Sequence, residues 1–185
     1  RFYVAVTIPK YNNVSALNLT VNDTLTNLKY KEGTVTVYQN EPNVKGNNTS
    51  DTEIQGAIKN SDKVVVQDYT VTDGTGKQSL KFELDYAKIM GDAAQSKTVY
   101  VYYEAIMQKE SVVEKKHSGE NVATLTYSNA AKPDSAHTTD KKQTNVYNYY
   151  LSVNKVKNDT EEALKVAMFS LYPDKTSKDA IKFVK

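Results

Sequence analysis

Two histidines, His117 and His137, and no cysteine are all that this chain offers to the commonest metal and nucleophile chemistries. Without Cys there is no disulfide, no thiolate zinc site and no cysteine nucleophile, and two histidines leave a histidine-based metal site or a catalytic triad short of material. Both histidines sit in polar surroundings rich in lysine or threonine, where an imidazole is more often solvated than ligating. No convergent set of titratable residues marks an external active site, so enzymes are disfavoured, and neither metal nor cofactor is expected. The 14 tyrosines, against 4 Phe and no Trp, read as amphipathic core and rim residues rather than as a stacking platform for sugars or nucleic acid.

The elements that must position any chemistry are strands. Tyr, Thr, Val and Asn abound, a composition suited to half-buried pleated surfaces. With 185 residues there is material for one large or two small domains. A charge balance of 24 Lys plus Arg against 22 Asp plus Glu, spread along the chain, excludes a basic nucleic-acid footprint. Mean hydropathy is -0.61, and no stretch approaches the roughly 20 apolar residues of a membrane span. Arg1 to Ile8 lacks the layout of a signal peptide, and the chain reads as a soluble, already processed piece.

Period-2 alternation dominates the chain. It predicts strands over Phe2–Ile8, ended by Pro9, over Leu17–Leu25, and over Thr34–Tyr38. Polar residues from Asn40 to Asp51 read as a loop. Ile54, Ala57 and Ile58 at helical spacing behind Asp51-Thr52-Glu53 predict a short helix. Val64–Val71 and Leu80–Leu84 flank Asp73-Gly74-Thr75-Gly76 as a hairpin, Tyr86–Ala94 reads as a second short helix, and Thr98–Ala105 and Val122–Tyr127 as strands. Ser128–Thr144 is polar, contains Pro133 and lacks periodicity, so a first domain is expected over residues 1–144. A second, over 145–185, opens with an extended segment at Val146–Val153, a turn at Asn158–Glu162 and a strand at Val166–Tyr172. Its roughly three strands fall short of the seven or so of a β-sandwich, so it is expected to be truncated. The fold class is all-β: tandem immunoglobulin-like β-sandwiches, with one or two short helices in the first domain and the second domain incomplete.

Particular segments carry a resemblance. Phe2-Tyr3-Val4-Ala5-Val6-Thr7-Ile8-Pro9, Leu19-Thr20-Val21-Asn22-Asp23-Thr24-Leu25, Val101-Tyr102-Tyr103-Glu104-Ala105 and Asn121-Val122-Ala123-Thr124-Leu125-Thr126-Tyr127-Ser128-Asn129 occur in the order found in the backbone pilins of Gram-positive bacteria. Val146-Tyr147-Asn148-Tyr149, Asn154-Lys155-Val156 and Ala163–Tyr172 are similar to the opening of a collagen-adhesin B-type repeat, although Leu164-Lys165-Val166-Ala167-Met168-Phe169 stands where that repeat has Leu-Ala-Gly-Ala-Lys-Phe. The chain thus resembles a sortase-assembled major pilin across nearly its whole length. The sortase pilin motif and the C-terminal sorting signal are not among these residues.

That resemblance implies a spontaneous amide between a Lys amine and an Asn side chain, assisted by a buried Asp or Glu. Desolvation neutralises both the amine and the acid, leaving the amine nucleophilic. The protonated acid then polarises the Asn carbonyl, and the folded core holds the reacting atoms together while ammonia leaves. By the family's pattern, Asn121 is the acceptor of the first domain, with its Lys upstream of Arg1, and Asn129 and Asn145 are weaker alternatives. Asp23 is the assisting acid, with Glu83 as rival. Lys155 is the cross-linking amine of the second domain, with its Asn and acid beyond Lys185. Taken by type alone, Lys155 reads as a solvated strand residue, Asp23 as a turn or cap, and Asn121 as loop.

The implied function is that of a shaft subunit of an extracellular, cell-wall-anchored pilus, not an enzyme. Its implied partners are neighbouring pilin subunits, the sortase that joins them, and host matrix or cells, with no nucleic acid and no membrane insertion. The alternative is an anchored adhesin or stalk binding host matrix or glycan. Asn-x-Ser/Thr sequences at Asn13, Asn18, Asn22, Asn47, Asn48 and Asn158 follow from a composition rich in Asn and Thr, and a glycan on Asn22 would contradict a buried Asp23 site.

Overall fold

The computed structural model describes residues 1–11, 17–43, 52–59, 64–111, 118–128, 136–147, 155–160, 162–163 and 170–180. The chain divides into two compact units, Arg1–Tyr149 and Tyr150–Lys185.

In the first unit the alternating segments become strands: β1 (Phe2–Ile8), β2 (Leu19–Thr26), β3 (Leu28–Tyr30), β4 (Thr36–Tyr38), β5 (Val65–Val66), β6 (Thr70–Thr72) and β7 (Thr75–Glu83). After helix α1 (Tyr86–Met90) come β8 (Lys97–Tyr103), β9 (Ala105–Met107), a 3-10 turn at Lys109–Ser111, then β10 (Ser118–Ser128), β11 (Ala136–Thr138) and β12 (Lys142–Tyr147). The fold is all-β and its pairings are antiparallel. One sheet has the order β1-β8-β4; a larger one runs β11-β10-β2-β7-β5, with β12 also on β10 and β6 also on β7; β3 and β9 form a third.

Every second residue of the long strands points into one core. Val21 and Leu25 of β2, Leu80 and Phe82 of β7, and Val99 and Val101 of β8 are almost entirely removed from water and belong to a single apolar cluster. Each such side chain contributes about 1.5–3 kcal/mol relative to exposure. Because a one-residue slip would turn this whole set outward, burial fixes the register as firmly as the ladder hydrogen bonds do. The β6–β7 hairpin closes through Asp73 and Gly74 at φ of 49° and 73°, a two-residue turn with both centres left-handed, whose twist matches the strands.

Local signals gave way to tertiary pairing in two places. The first expected helix does not form: among described residues 52–59, Glu53 bridges Tyr38, Ile58 bridges Leu84, and the Ile54 N–H donates to the Val37 carbonyl at 2.8 Å. Ile54, Ala57 and Ile58 are buried, but Gly56 at φ 69° breaks the helical path. The second does form, shorter than expected: the Asp85 side chain caps α1 by accepting from the Lys88 N–H at 3.0 Å, and Tyr86, Ile89 and Met90 face the core. The stretch read as the polar close of the first domain contains β11 and the first half of β12, both hydrogen-bonded to β10. Their side chains are largely exposed, so the free backbone groups along β10, rather than an apolar pattern, hold them there.

In the second unit, Val156 and Ala163 form an antiparallel bridge, Lys157 pairs with Glu162 at 2.9 Å, and the Asp174 carboxylate accepts from the Thr176 and Ser177 N–H groups at 2.7 and 2.9 Å. Most of the strand expected at Val166–Tyr172 lies outside the described residues; within it Leu171 and Tyr172 are exposed and not in a strand.

Gly119 of β10 lies beneath Leu28, where a Cβ would come within 2.7 Å of the buried Leu28 Cγ. Gly119→Ala should therefore destabilise the first unit by about 1–3 kcal/mol in urea unfolding, and trimming Leu28 to Ala in the same protein should reduce that penalty. An unchanged midpoint for Gly119→Ala would show that Leu28 yields freely.

Candidate functional site: a buried carboxyl, phenol and carboxamide

The inward face of β2 reads Leu19, Val21, Asp23, Leu25, and all four are buried. A carboxyl thus occupies a core position of a strand held on both sides, by β10 and by β7. On β10 the inward residues are Gly119, Asn121 and Ala123; Asn121 pairs with Leu25 and Ala123 with Asp23, so Asn121 and Asp23 are diagonal neighbours on one face. From the other sheet, the inward series Val99, Val101, Tyr103 of β8 delivers a phenol to the same point.

The three polar groups are joined. Tyr103 Oη donates to Asp23 Oδ2 and accepts from Asn121 Nδ2, and Asn121 Nδ2 also lies 3.2 Å from Asp23 Oδ2. Asp23 is 2% exposed, Asn121 5% and Tyr103 0%, so water does not screen these contacts. Aromatic rings wall the Tyr103 side: Phe82, Phe2 and Tyr30 have ring centroids 5.4, 5.8 and 6.0 Å from that of Tyr103. Asp23 Oδ1 makes no hydrogen bond to any described residue.

Burial raises the Asp23 pKa to about 6, while the hydrogen bonds from Tyr103 and Asn121 act in the opposite direction. Tyr103 is held well above its ordinary value, first by burial and then by the adjacent Asp23, so its phenol stays protonated. A weakly acidic carboxyl, a neutral phenol and a carboxamide in a dry pocket can exchange protons with a reacting group without bulk water. The described residues include no group of three or more side chains arranged to hold a metal ion.

Asp23 and Asn121 therefore share one site, 98 positions apart in sequence. Glu83, the rival acid, does not join them. It lies on the outward face of β7, paired with Thr20 and bound to Lys81 at 2.8 Å, whose hydrogen bond and charge lower its pKa and keep it ionised. Lys155 is exposed beside the Val156–Ala163 bridge of the second unit. Asn145 is exposed on β12 and accepts from Gln143 Nε2 at 3.3 Å, while Asn129 and His117 lie outside the described residues. His137 is exposed on β11, against the Tyr127 ring.

Two details differ from the expectation. The nitrogen of Asn121, not its carbonyl oxygen, faces the acid, because carboxylate and phenol oxygens accept hydrogen bonds that only the NH2 side can supply. Asn22 lies on the outward face of β2, with Nδ2 3.1 Å from Thr126 Oγ1, so modification there would not enter the Asp23 pocket. Tyr103 had no role in the sequence reading beyond its place in a matching strand. The signal that could have found it is the Val99, Val101, Tyr103 alternation, which turns its hydroxyl inward and demands a polar partner.

A raised carboxyl pKa makes the folded state bind the proton more tightly than the unfolded chain does. Stability linked to Asp23 is therefore fully present below about pH 4 and lost as pH rises through about 6, by about 3 kcal/mol in all. Relative to wild type, Asp23→Asn should unfold at higher urea at pH 8 and lose this advantage toward pH 4; parallel pH profiles for the two proteins would contradict the buried-acid assignment. Neither protein-family models nor curated proteins give a match to the chain.

Proposed function

We propose that the first unit is an immunoglobulin-like sandwich of a Gram-positive backbone pilin, in which Asn121 is the acceptor of an intramolecular amide formed with a lysine amine and assisted by Asp23. The observation that carries this reading is the meeting of Asp23 and Asn121, with 3.2 Å between Oδ2 and Nδ2, in a pocket closed to water. Strand pattern alone gives no reason to bury a carboxyl beside a carboxamide. A reaction that moves protons to and from a nitrogen leaving that carboxamide does.

In this reading the amine is delivered by a strand upstream of Arg1. The chemistry exchanges one amide for another. The amine nitrogen bonds to Asn121 Cγ, the Cγ–Nδ2 bond breaks, and ammonia departs. Confinement supplies most of the acceleration, since the core holds the partners in contact. In a chain without cysteine the link serves as a disulfide would, and it resists reduction. Closing a loop of about 100 residues is worth on the order of 4–5 kcal/mol in the chain-entropy treatment. Joining the first and last strands of a sandwich would carry a pulling force through covalent bonds, as suits a surface shaft polymerised by a sortase and exposed to host cells. Lys155 would play the amine's part in the second unit, a collagen-adhesin B-type repeat.

A second reading, an anchored stalk that binds host matrix or glycan, draws support from the outward face of the β1-β8-β4 sheet. There Tyr3 packs edge-on against Tyr100 and Tyr38 against Tyr102, with centroids 5.7 and 5.9 Å apart, next to Glu41 and Glu104. Partly exposed tyrosines in a row are suited to stacking on sugar rings. Cell-surface protein that never enters a covalent polymer would favour this second role.

Intact mass tests the leading reading. Protein recovered from cells should be lighter than its sequence by one ammonia, about 17 Da, per completed link. Asn121→Ala should keep the first unit's ammonia unspent and lower thermal stability and protease resistance. An unmodified wild-type mass would exclude the link; an unchanged loss in Asn121→Ala would move the acceptor elsewhere.

A further inference from the structure

Tyr103 is the one member of the buried cluster that touches both the carboxyl and the carboxamide from the opposite sheet. Its position answers a question that the amide-forming reading, on which this inference rests, leaves open: how the departing nitrogen receives its proton. An amide nitrogen is a poor leaving group until it is protonated, and a dry pocket offers no water to do it. Asp23 cannot readily serve both reacting nitrogens at once. Its Oδ1 makes no hydrogen bond to a described residue, whereas its Oδ2 is already engaged by the phenol and by Asn121 Nδ2.

The geometry points to Tyr103 as a catalytic residue of cross-link formation, the general acid that delivers a proton to Asn121 Nδ2 as ammonia leaves. The step balances within the pocket. The lone pair of a neutral lysine amine forms the new bond to Asn121 Cγ, and the Cγ–Nδ2 electron pair stays with nitrogen. One amine proton passes to Oδ1 of the ionised Asp23 carboxylate, and the Tyr103 Oη proton passes to Nδ2, releasing ammonia. The Asp23 carboxyl then turns about its Cβ–Cγ bond and returns the proton to the phenolate oxygen, and both side chains end as they began. On this assignment, Asp23 takes a proton from the attacking amine while Tyr103 gives one to the departing nitrogen, so the two side chains together serve both ends of the exchange.

Two features set this role apart from packing. The ring is fixed by Phe2, Tyr30 and Phe82, so replacement by Phe keeps the shape and removes only the hydroxyl. The hydroxyl's two partners are the acid and the reacting nitrogen themselves. A tyrosine serving only as core filler would need neither.

The test follows the loss of ammonia with time in the native protein, extended through its upstream strand. The protein is made by pulse synthesis and sampled by intact mass, as wild type, as Tyr103→Phe, and with 2,3-difluorotyrosine placed at position 103. Tyr103→Phe should link on the order of 100-fold more slowly while folding normally by circular dichroism. The difluoro side chain, a stronger acid of nearly the same shape, should change the rate and its pH profile relative to wild type. If Tyr103→Phe links within twofold of wild type, or if it fails to fold and the difluoro protein links with wild-type rate and pH profile, Tyr103 is not the proton donor although the cross-link stands. If wild type itself never loses ammonia, the cross-link reading falls and this assignment falls with it.

Discussion

A carboxyl group taken into an apolar core must be protonated, hydrogen-bonded or both, and the arrangement of the first unit turns on how Asp23 meets that demand. It sits where Leu19, Val21 and Leu25 establish that a large apolar side chain belongs. Its two partners arrive from distant strands, Tyr103 from the facing sheet and Asn121 from the neighbouring strand. These contacts fall short of offsetting burial, which leaves the acid with a pKa of about 6. A strand residue chosen for stability alone would have been valine or leucine. The destabilising choice is the mark of a site, since buried groups with displaced pKa values gather where chemistry is done.

The fold supplies the precision that such a cluster needs. β2 is hydrogen-bonded along both edges, so the Asp23 backbone has little room to move. β8 is likewise central in its own sheet, flanked by β1 and β4, and it fixes Tyr103. Gly119, two residues before Asn121, lets β10 approach Leu28 so closely that any side chain would collide. Three separate strands thus converge on one point without a loop among the contributors, which favours geometry held to fractions of an ångström.

Much of this was legible in the chain before any coordinates. Phe2–Ile8 and Thr98–Tyr103 announce themselves by strict alternation, and Asp73-Gly74 specifies its turn by backbone chemistry alone. Asp23 and Asn121 were both reached through similarity of their strands to those of pilins, whereas residue type alone made Asp23 a turn or cap and Asn121 loop. What could not be read was set by long-range pairing. Ile54, Ala57 and Ile58 have helical spacing, yet Gly56 and the edges offered by Val37 and Leu84 draw them into bridges. β12 carries no apolar stripe and exists because β10 has an edge to offer. Glu83 and Asp23 look alike as acids near strand ends; the inward or outward phase of each strand separates them, and a nearby Lys81 keeps Glu83 charged. Tyr103 was hidden among 14 tyrosines, distinguished only by which face of β8 it occupies.

Seen together, the buried acid, the phenol and the carboxamide form a pocket in which one amide could be exchanged for another without water, and the sheets around it are what such a bond would reinforce. The most direct measurement is tandem mass spectrometry of proteolytic peptides from the native protein on its cells. The account predicts a branched peptide in which the side chain of Asn121 is joined through an amide to a lysine amine. Recovery of Asn121 only in a linear peptide, with its carboxamide intact, would contradict it.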